Sequence, residues 1–189
     1  MPEQTKNPWQ TLGSKPVYDN NWISVREDDI IAPDGNPGIY GVVHFKNQAI
    51  GVLAVDKDES VYLVGQYRYP LQAYSWEIPE GGCPEGELPL DAAKRELEEE
   101  TGLSAAHWQH LGESKLSNSV SDEHAVFFLA TGLTQGKSHP EGTEDLVVRR
   151  VPFEQALNMV LNAEITDALS QLAILCYAAV RQRNVQPIE

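Results

Sequence analysis

Apolar and polar residues alternate through much of the first half of the chain, the period-two pattern of strands. The pattern predicts short strands at 22–26 and 29–32, a turn at PDGNPG (33–38), and a strand-like run over 39–45. Residues 1–15 are polar and are expected to be loosely ordered. Two apolar runs, 50–55 and 61–67, flank the turn text DKDES and predict a hairpin. A short segment at 74–78 then leads into a glycine-rich loop. Leu88, Ala92, Ala93 and Leu97 recur at helical spacing, so an amphipathic helix follows. Further strands are expected at 108–116, 125–130 and 146–151, with a polar loop over 134–144. Pro152 opens a helix to about Leu161, and Thr166 is expected to cap a last helix to about Arg181. Strands on both sides of a central helix, with helices at the end, predict an α/β sandwich around a mixed sheet.

The central helix carries candidate chemistry. From Gly81 to Leu103 the text GGCPEGELPLDAAKRELEEETGL reads G-x5-E-x7-R-E-U-x-E-E-x-G-U, with U a bulky apolar residue. Pro89 suits a first helical turn, and Gly102 suits the position just past the end. Glu96, Glu99 and Glu100 stand at i, i+3 and i+4, so their carboxylates leave the helix on one side. Three like charges so close repel one another without cations. Carboxylates rooted there can converge on ions about 3.5–4 Å apart, the separation of a two-metal phosphoryl site. Oxygen-only ligands point to Mg²⁺, with Mn²⁺ as an alternative. An acidic helix face by itself is ordinarily solvated surface. The glycine loop and Glu87 at fixed offsets before the helix are what separate this one from that reading. Gly81 and Gly82 let the chain turn sharply and bring backbone carbonyls near a cation.

The chain has 189 residues, enough for one sizeable domain with a small appended element. Its 28 acidic and 14 basic residues give a net charge of −14, which argues against nucleic acids and anionic membranes as partners. Phosphorylated small molecules stay open, because bound cations invert the local field. The two cysteines, Cys83 and Cys176, match no zinc pattern and no disulfide framework. A polar start and the lack of a long apolar run lead to the expectation of a cytoplasmic protein.

The motif from Gly81 to Leu103 resembles the Nudix box, whose family hydrolyses nucleoside diphosphates linked to another group with divalent cations. The resemblance implies an α/β/α Nudix sandwich with a mixed β-sheet, over residues 46–189. VGQYRYP (64–70), WEIPEGG (76–82) and the text from Glu144 to Ala168 are similar to the ADP-ribose and nucleoside diphosphate sugar pyrophosphatases. That branch implies a small N-terminal antiparallel sheet, residues 1–45, exchanged between subunits of a homodimer.

By the same resemblance Glu96 and Glu100 are the main metal ligands, Glu99 contributes, and the backbone carbonyl of Glu80 is a further ligand. Glu87 and Arg95 form a salt bridge that holds the loop on the helix. Arg68 is the arginine that binds substrate phosphate. The general base lies on the loop before the last strand, where Glu144 comes first, Glu141 second, and Asp145 is also present. Trp22 and Tyr40 sandwich the base, unless Trp22 is a core residue of the small sheet. Glu123 is either a metal-side or ribose-binding carboxylate or an exposed loop charge. One departure stands out: the stretch 117–123, SNSVSDE, lacks the Ser-Pro-Gly of the ADP-ribose enzymes. It favours a broader nucleoside diphosphate sugar substrate. Within the family, hydrolysis of coenzyme A or dinucleoside polyphosphates, and nucleotide-sugar binding without cleavage, are the alternatives.

Overall fold

Strand structure in the first fifty residues runs further than the apolar alternation predicts. The computed structural model describes residues 6–138 and 145–185, and their contacts divide into two units. The first unit is drawn from the residues up to Asn47 together with Ser117–Glu123. It is an antiparallel meander of β1 (Gln10–Asp19), β2 (Ile23–Ile31) and β3 (Pro37–Phe45), in that order. The expectation of a loose start is corrected from Gln10 onward. Strand β1 is exposed along nearly its whole length, so no apolar alternation marks it. It is held by ladder hydrogen bonds to β2, from Gln10 opposite Ile31 to Asp19 opposite Ser24.

Strand β2 is continuous where two strands were expected. Its interrupting charge, Asp28, is buried and is taken by Arg26 Nε at 3.1 Å, so the polar residue does not break the strand. Asn20 makes the first turn by accepting the N–H groups of Trp22 and Ile23 on Oδ1, at 2.9 and 2.8 Å. Segment Ser117–Glu123 closes on β3: Val43 N–H donates to Val120 O at 2.9 Å, and Asp122 accepts Phe45 N–H at 3.0 Å.

The second unit contains β4 (Gln48–Ala54), β5 (Ser60–Arg68), β6 (Ala73–Glu77), β7 (Glu80–Cys83), α1 (Pro89–Thr101), β8 (Leu103–Lys115), β9 (His124–Gln135), β10 (Val147–Pro152), α2 (Phe153–Leu161) and α3 (Ala168–Val185). One sheet has the order β7-β4-β9-β8 and is mixed, since β4 and β9 are parallel. A second, antiparallel sheet has the order β10-β5-β6. The expected hairpin of β4 and β5 does not form. Only a single bridge, Val55 to Val61, links their ends, and the strands part into different sheets. Each is apolar on both faces, and a strand buried on both faces needs neighbours of its own in a covered sheet.

The period-two alternation survives inside this sheet and sorts its side chains into two cores. Leu53 and Val55 of the β4 segment join Ala125 and Phe127 of β9 in a cluster completed by Phe153, Ile165, Leu169 and Ile174. Ile50, Val52 and Ala54 join Val126 and Phe128 beneath Ala92, Ala93 and Leu97 of α1. Helices therefore cover both faces of the central strands, the layer arrangement expected of an α/β sandwich. Helix α3 begins after Asp167, not at Thr166: Asp167 Oδ2 accepts Ser170 N–H at 2.7 Å. No described helix is long and apolar enough to cross a membrane.

Helix α1 starts on Pro89 and ends at Gly102, whose φ of 70° lies in the left-handed region. A Cβ there would stand 2.6 Å from the backbone nitrogen of Ser138. Gly102→Ala is expected to lower unfolding stability by at least about 1–2 kcal/mol, the cost of a left-handed residue with a side chain. A urea melt giving wild-type stability for this variant would contradict the assignment.

Candidate active site

Side chains at the C-terminal half of α1 are charged yet close to the core. Glu96 and Glu100 are 8% and 2% exposed, beside the fully buried Leu97. Buried carboxylates need partners. Arg95 supplies much of what they need. Its Nη1 donates to Glu96 at 2.7 Å and to Glu99 at 3.1 Å. Its Nε and Nη2 meet both oxygens of Glu87, at 3.2 and 2.9 Å, and Nη2 also reaches the Gly82 carbonyl at 2.8 Å. One guanidinium thus ties the glycine loop to the helix. The hydrogen bonding it donates to Glu87 is the largest reason its pKa is raised above the ordinary arginine value.

This arrangement bears on the expected metal ligands. Among the described residues, no three histidine, cysteine or carboxylate side chains are gathered as a metal-holding group. Glu96 and Glu99 are turned onto Arg95, because the cation nearest to them is that guanidinium. The donor set still fits a hard divalent ion, being oxygen throughout. The cradle fits as well. A Cβ on Gly81 would fall 2.2 Å from the Glu96 carboxyl carbon, so a bare backbone is required where the carboxylate lies.

Glu80 precedes that glycine. Its N–H donates to Glu100 Oε2 at 3.1 Å, joining loop to helix a second time. Its side chain takes Arg68 Nη2 at 2.9 Å on Oε1, while Oε2 is buried without a donor. Burial first, then the charges of Asp167 and Glu77, push the Glu80 carboxyl well above the usual range.

Arg68, expected by resemblance to bind substrate phosphate, is enclosed by carboxylates. Its Nε donates to both oxygens of Glu77, at 2.9 and 3.1 Å, and Nη2 reaches Glu77 again at 2.5 Å. Burial alone would lower its pKa, but the hydrogen bonds and charge of Glu77, with the charges of Glu80 and Asp167, raise it. Nη1 is left with no partner among the described residues. Glu77, Asp167 and Ser170 are site residues the sequence reading missed. Glu77 stands in the quoted text WEIPEGG, but nothing local says that its carboxylate is buried.

Trp22, Tyr40 and Glu123 belong to the other unit. Trp22 is 66% exposed, which removes the reading of it as a core residue. Tyr40 lies opposite Asp28, and Lys46 N–H donates to the Trp22 carbonyl. The two aromatics are therefore about 20 Å apart along the sheet at ~3.3 Å per residue. Tyr40 donates its hydroxyl to Ser119 O at 2.5 Å and meets Trp9 edge-to-face at 5.5 Å. A pocket of about 250 Å³ is lined there by Trp9, Thr11, Asp28 and Tyr40 among others. Trp9 was missed because its segment reads as polar and unstructured. Glu123 N–H reaches Ser121 Oγ at 3.4 Å, on the segment that closes against β3. Glu141 and Glu144 lie outside the described residues; Asp145 is described and exposed.

Comparison with known proteins shows the family. Residues 46–171 match the NUDIX domain, and residues 9–43 match the nucleoside diphosphate sugar hydrolase N-terminal domain. The chain is 31% identical to an ADP-ribose pyrophosphatase of Mycobacterium tuberculosis, over 96% of this chain and 89% of that protein. It is 32% identical to an ADP-ribose pyrophosphatase of Bacillus subtilis, over 87% and 90%. A crystal structure of an ADP compounds hydrolase superposes with a TM-score of 0.85 at 18% identity, covering 98% of this chain and 100% of that one, a likeness of fold.

Gly81→Ala tests the cradle. The added methyl must displace the Glu96 carboxylate, so Mn²⁺ affinity measured by calorimetry is expected to fall about 10–100-fold, the range for a disturbed metal surround. Unchanged affinity would show that Glu96 need not lie against Gly81.

Proposed function

We propose an activity for a chain that belongs to the Nudix family. It hydrolyses the diphosphate bond of ADP-ribose and related nucleoside diphosphate sugars, giving a nucleoside monophosphate and a sugar phosphate. The observation that carries this reading is the joined loop and helix. Glu87, Arg95, Glu96 and Glu99 form one hydrogen-bonded group against Gly81 and Gly82, and Glu100 accepts the Glu80 N–H beside it. The names of the relatives from Mycobacterium tuberculosis and Bacillus subtilis support the substrate class. The departure at Ser117–Glu123 keeps the choice of sugar open.

Glu96 and Glu100, with Glu99 and the Glu80 carbonyl, would hold Mg²⁺, with Mn²⁺ as a substitute. An ion held by these residues would supply positive charge for the diphosphate oxygens and would lower the pKa of a water. Arg95 engages one oxygen each of Glu96 and Glu99, and its bonds to Glu87 and Gly82 keep the loop in place. Arg68 presents Nη1 to a phosphate oxygen while Glu77 fixes the plane of its guanidinium. Glu144, or Glu141 three residues before it, takes the proton from the attacking water. Water oxygen then bonds to one phosphorus, and the bridging P–O bond breaks.

The base is read by stacking. The wide separation of Trp22 and Tyr40 within one chain supports a sandwich closed by two subunits, and so a homodimer with exchanged N-terminal strands. The net charge of −14 and the polar sequence text support a cytoplasmic enzyme without nucleic-acid or membrane partners.

ADP-ribose, GDP-mannose, UDP-glucose, ADP-glucose, NADH and coenzyme A, each assayed with Mg²⁺ and analysed by mass spectrometry, test the activity. Glu100→Gln and Glu96→Gln are expected to lower kcat on the best substrate about 10²–10³-fold, the scale of losing a key electrostatic group. Near wild-type rates in both would remove the metal assignment.

Trp22→Ala tests the stacking. Loss of one stacked base contact, about 1–3 kcal/mol, raises KM roughly 5- to 150-fold while kcat changes little. A dimeric variant with wild-type KM for every nucleotide sugar would end this part of the proposal.

A further inference from the structure

The segment from Glu77 to Gly81 is held from four other elements, β5, β4, α1 and α3. Arg68 of β5 takes the Glu77 carboxylate. Val52 of β4 donates its N–H to the Pro79 carbonyl at 2.8 Å. Glu100 of α1 accepts Glu80 N–H at 3.1 Å. Ser170 of α3 accepts Ile78 N–H on Oγ at 2.9 Å, a bond buried and 92 residues long in sequence. Glu100 is assigned to metal and Arg68 to phosphate in the function proposed above. Val52 acts through its backbone. Ser170 is the one side chain among these four with no other part in that function.

A serine in this place needs a reason. It interrupts the text ALSQLAILCYAA, whose neighbours Leu169, Ala173 and Ile174 are core residues, and it is fully buried. Burying a hydroxyl is unfavourable unless it is bonded. The helix around it is pinned. Asp167 caps the first turn by accepting Ser170 N–H at 2.7 Å and, on its carbonyl, Gln171 N–H at 3.0 Å. The packing is close as well, since a Cβ on Gly51 would stand 2.9 Å from Ile78 Cδ1 and 3.0 Å from Leu169. Between the bonded Ile78 N–H and the Glu80 carbonyl lies only Pro79, whose φ is locked by its ring. With the Ile78 N–H and the Pro79 carbonyl both bonded, little freedom remains before Glu80.

We propose that Ser170 is a positioning residue that sets the place of the Glu80 backbone carbonyl, and through it the affinity of the site for divalent metal. The inference rests on the reading of that carbonyl as a metal ligand.

Its test is Mn²⁺ binding to the full chain, measured by calorimetry without substrate, for wild type, Ser170→Ala, Ser170→Thr and Ala173→Gly. Ser170→Ala is expected to weaken Mn²⁺ about 10–100-fold, the range for losing a partner behind a metal ligand. Ser170→Thr keeps the γ-hydroxyl and restores the affinity. Ala173→Gly loosens the same buried helix, lowering the melting temperature and leaving Mn²⁺ affinity unchanged. KM for nucleotide sugar at saturating metal stays at the wild-type value in Ser170→Ala. Wild-type Mn²⁺ affinity in Ser170→Ala overturns the proposal, as does an equal weakening in Ala173→Gly. Should Ser170→Ala not fold, Ser170→Cys, whose sulfur is a weaker acceptor, is expected to weaken Mn²⁺ by a smaller factor, and wild-type affinity in it overturns the proposal. A wild-type chain that binds no Mn²⁺ overturns the metal reading together with this inference. Loss of Mn²⁺ in Glu96→Gln and Glu100→Gln beside normal binding in Ser170→Ala overturns this inference alone.

Discussion

Arg95 is the interaction on which the rest of the site depends. A helix that places Glu96, Glu99 and Glu100 within one turn concentrates like charge at the edge of a hydrophobic core. Such charges repel one another and lose hydration on burial. One guanidinium offsets both costs, and its planar fork does so with Glu87 bidentate on one edge. Because the same group bonds the Gly82 carbonyl, the charge balance of the helix and the path of the loop are one constraint. A lysine, with a single ammonium, could not span loop carbonyl, Glu87, Glu96 and Glu99 together.

A second cation organises the other side of the loop. Arg68 is enclosed by Glu77 and Glu80, and Asp167 stands near enough to raise its pKa further. Burial and the charges of Asp167 and Glu77 push the Glu80 carboxyl well above its usual range. The loop from Glu77 to Glu87 is thereby fixed between two arginine-centred groups, one on β5 and one on α1. Its backbone is shaped by tertiary partners more than by its own turn residues.

The N-terminal unit follows different physics. Its strands bury little, and several large apolar side chains stay exposed, among them Leu12, Val17, Tyr18, Trp22 and Ile39. Ladder hydrogen bonds and short polar turns hold it, and Ser117–Glu123 is tied into β3 from far along the sequence. A sheet with so much uncovered apolar surface is suited to a partner surface.

The sequence by itself determined the local chemistry. Pro89 opens the helix and Gly102 ends it in the left-handed region, and Glu96, Glu99 and Glu100 fall on one side by helical geometry alone. The ion pair of Glu87 with Arg95 could be read from the motif. These features depend on dihedral preferences and on spacings of a few residues, so the text carries them directly. Only the tertiary structure decided who pairs with whom. Strands β4 and β5 read as a hairpin because they are adjacent, yet each is apolar on both faces, and such a run does not say which neighbour will cover it. Strand β1 went unread because ladder hydrogen bonds come from the backbone, which every residue shares. Arg68, Glu77, Glu80, Asp167 and Ser170 meet only through the packing of β5, β6, β7 and α3. Their charges and hydroxyl become a site through burial, which belongs to the fold and not to any one stretch of the chain.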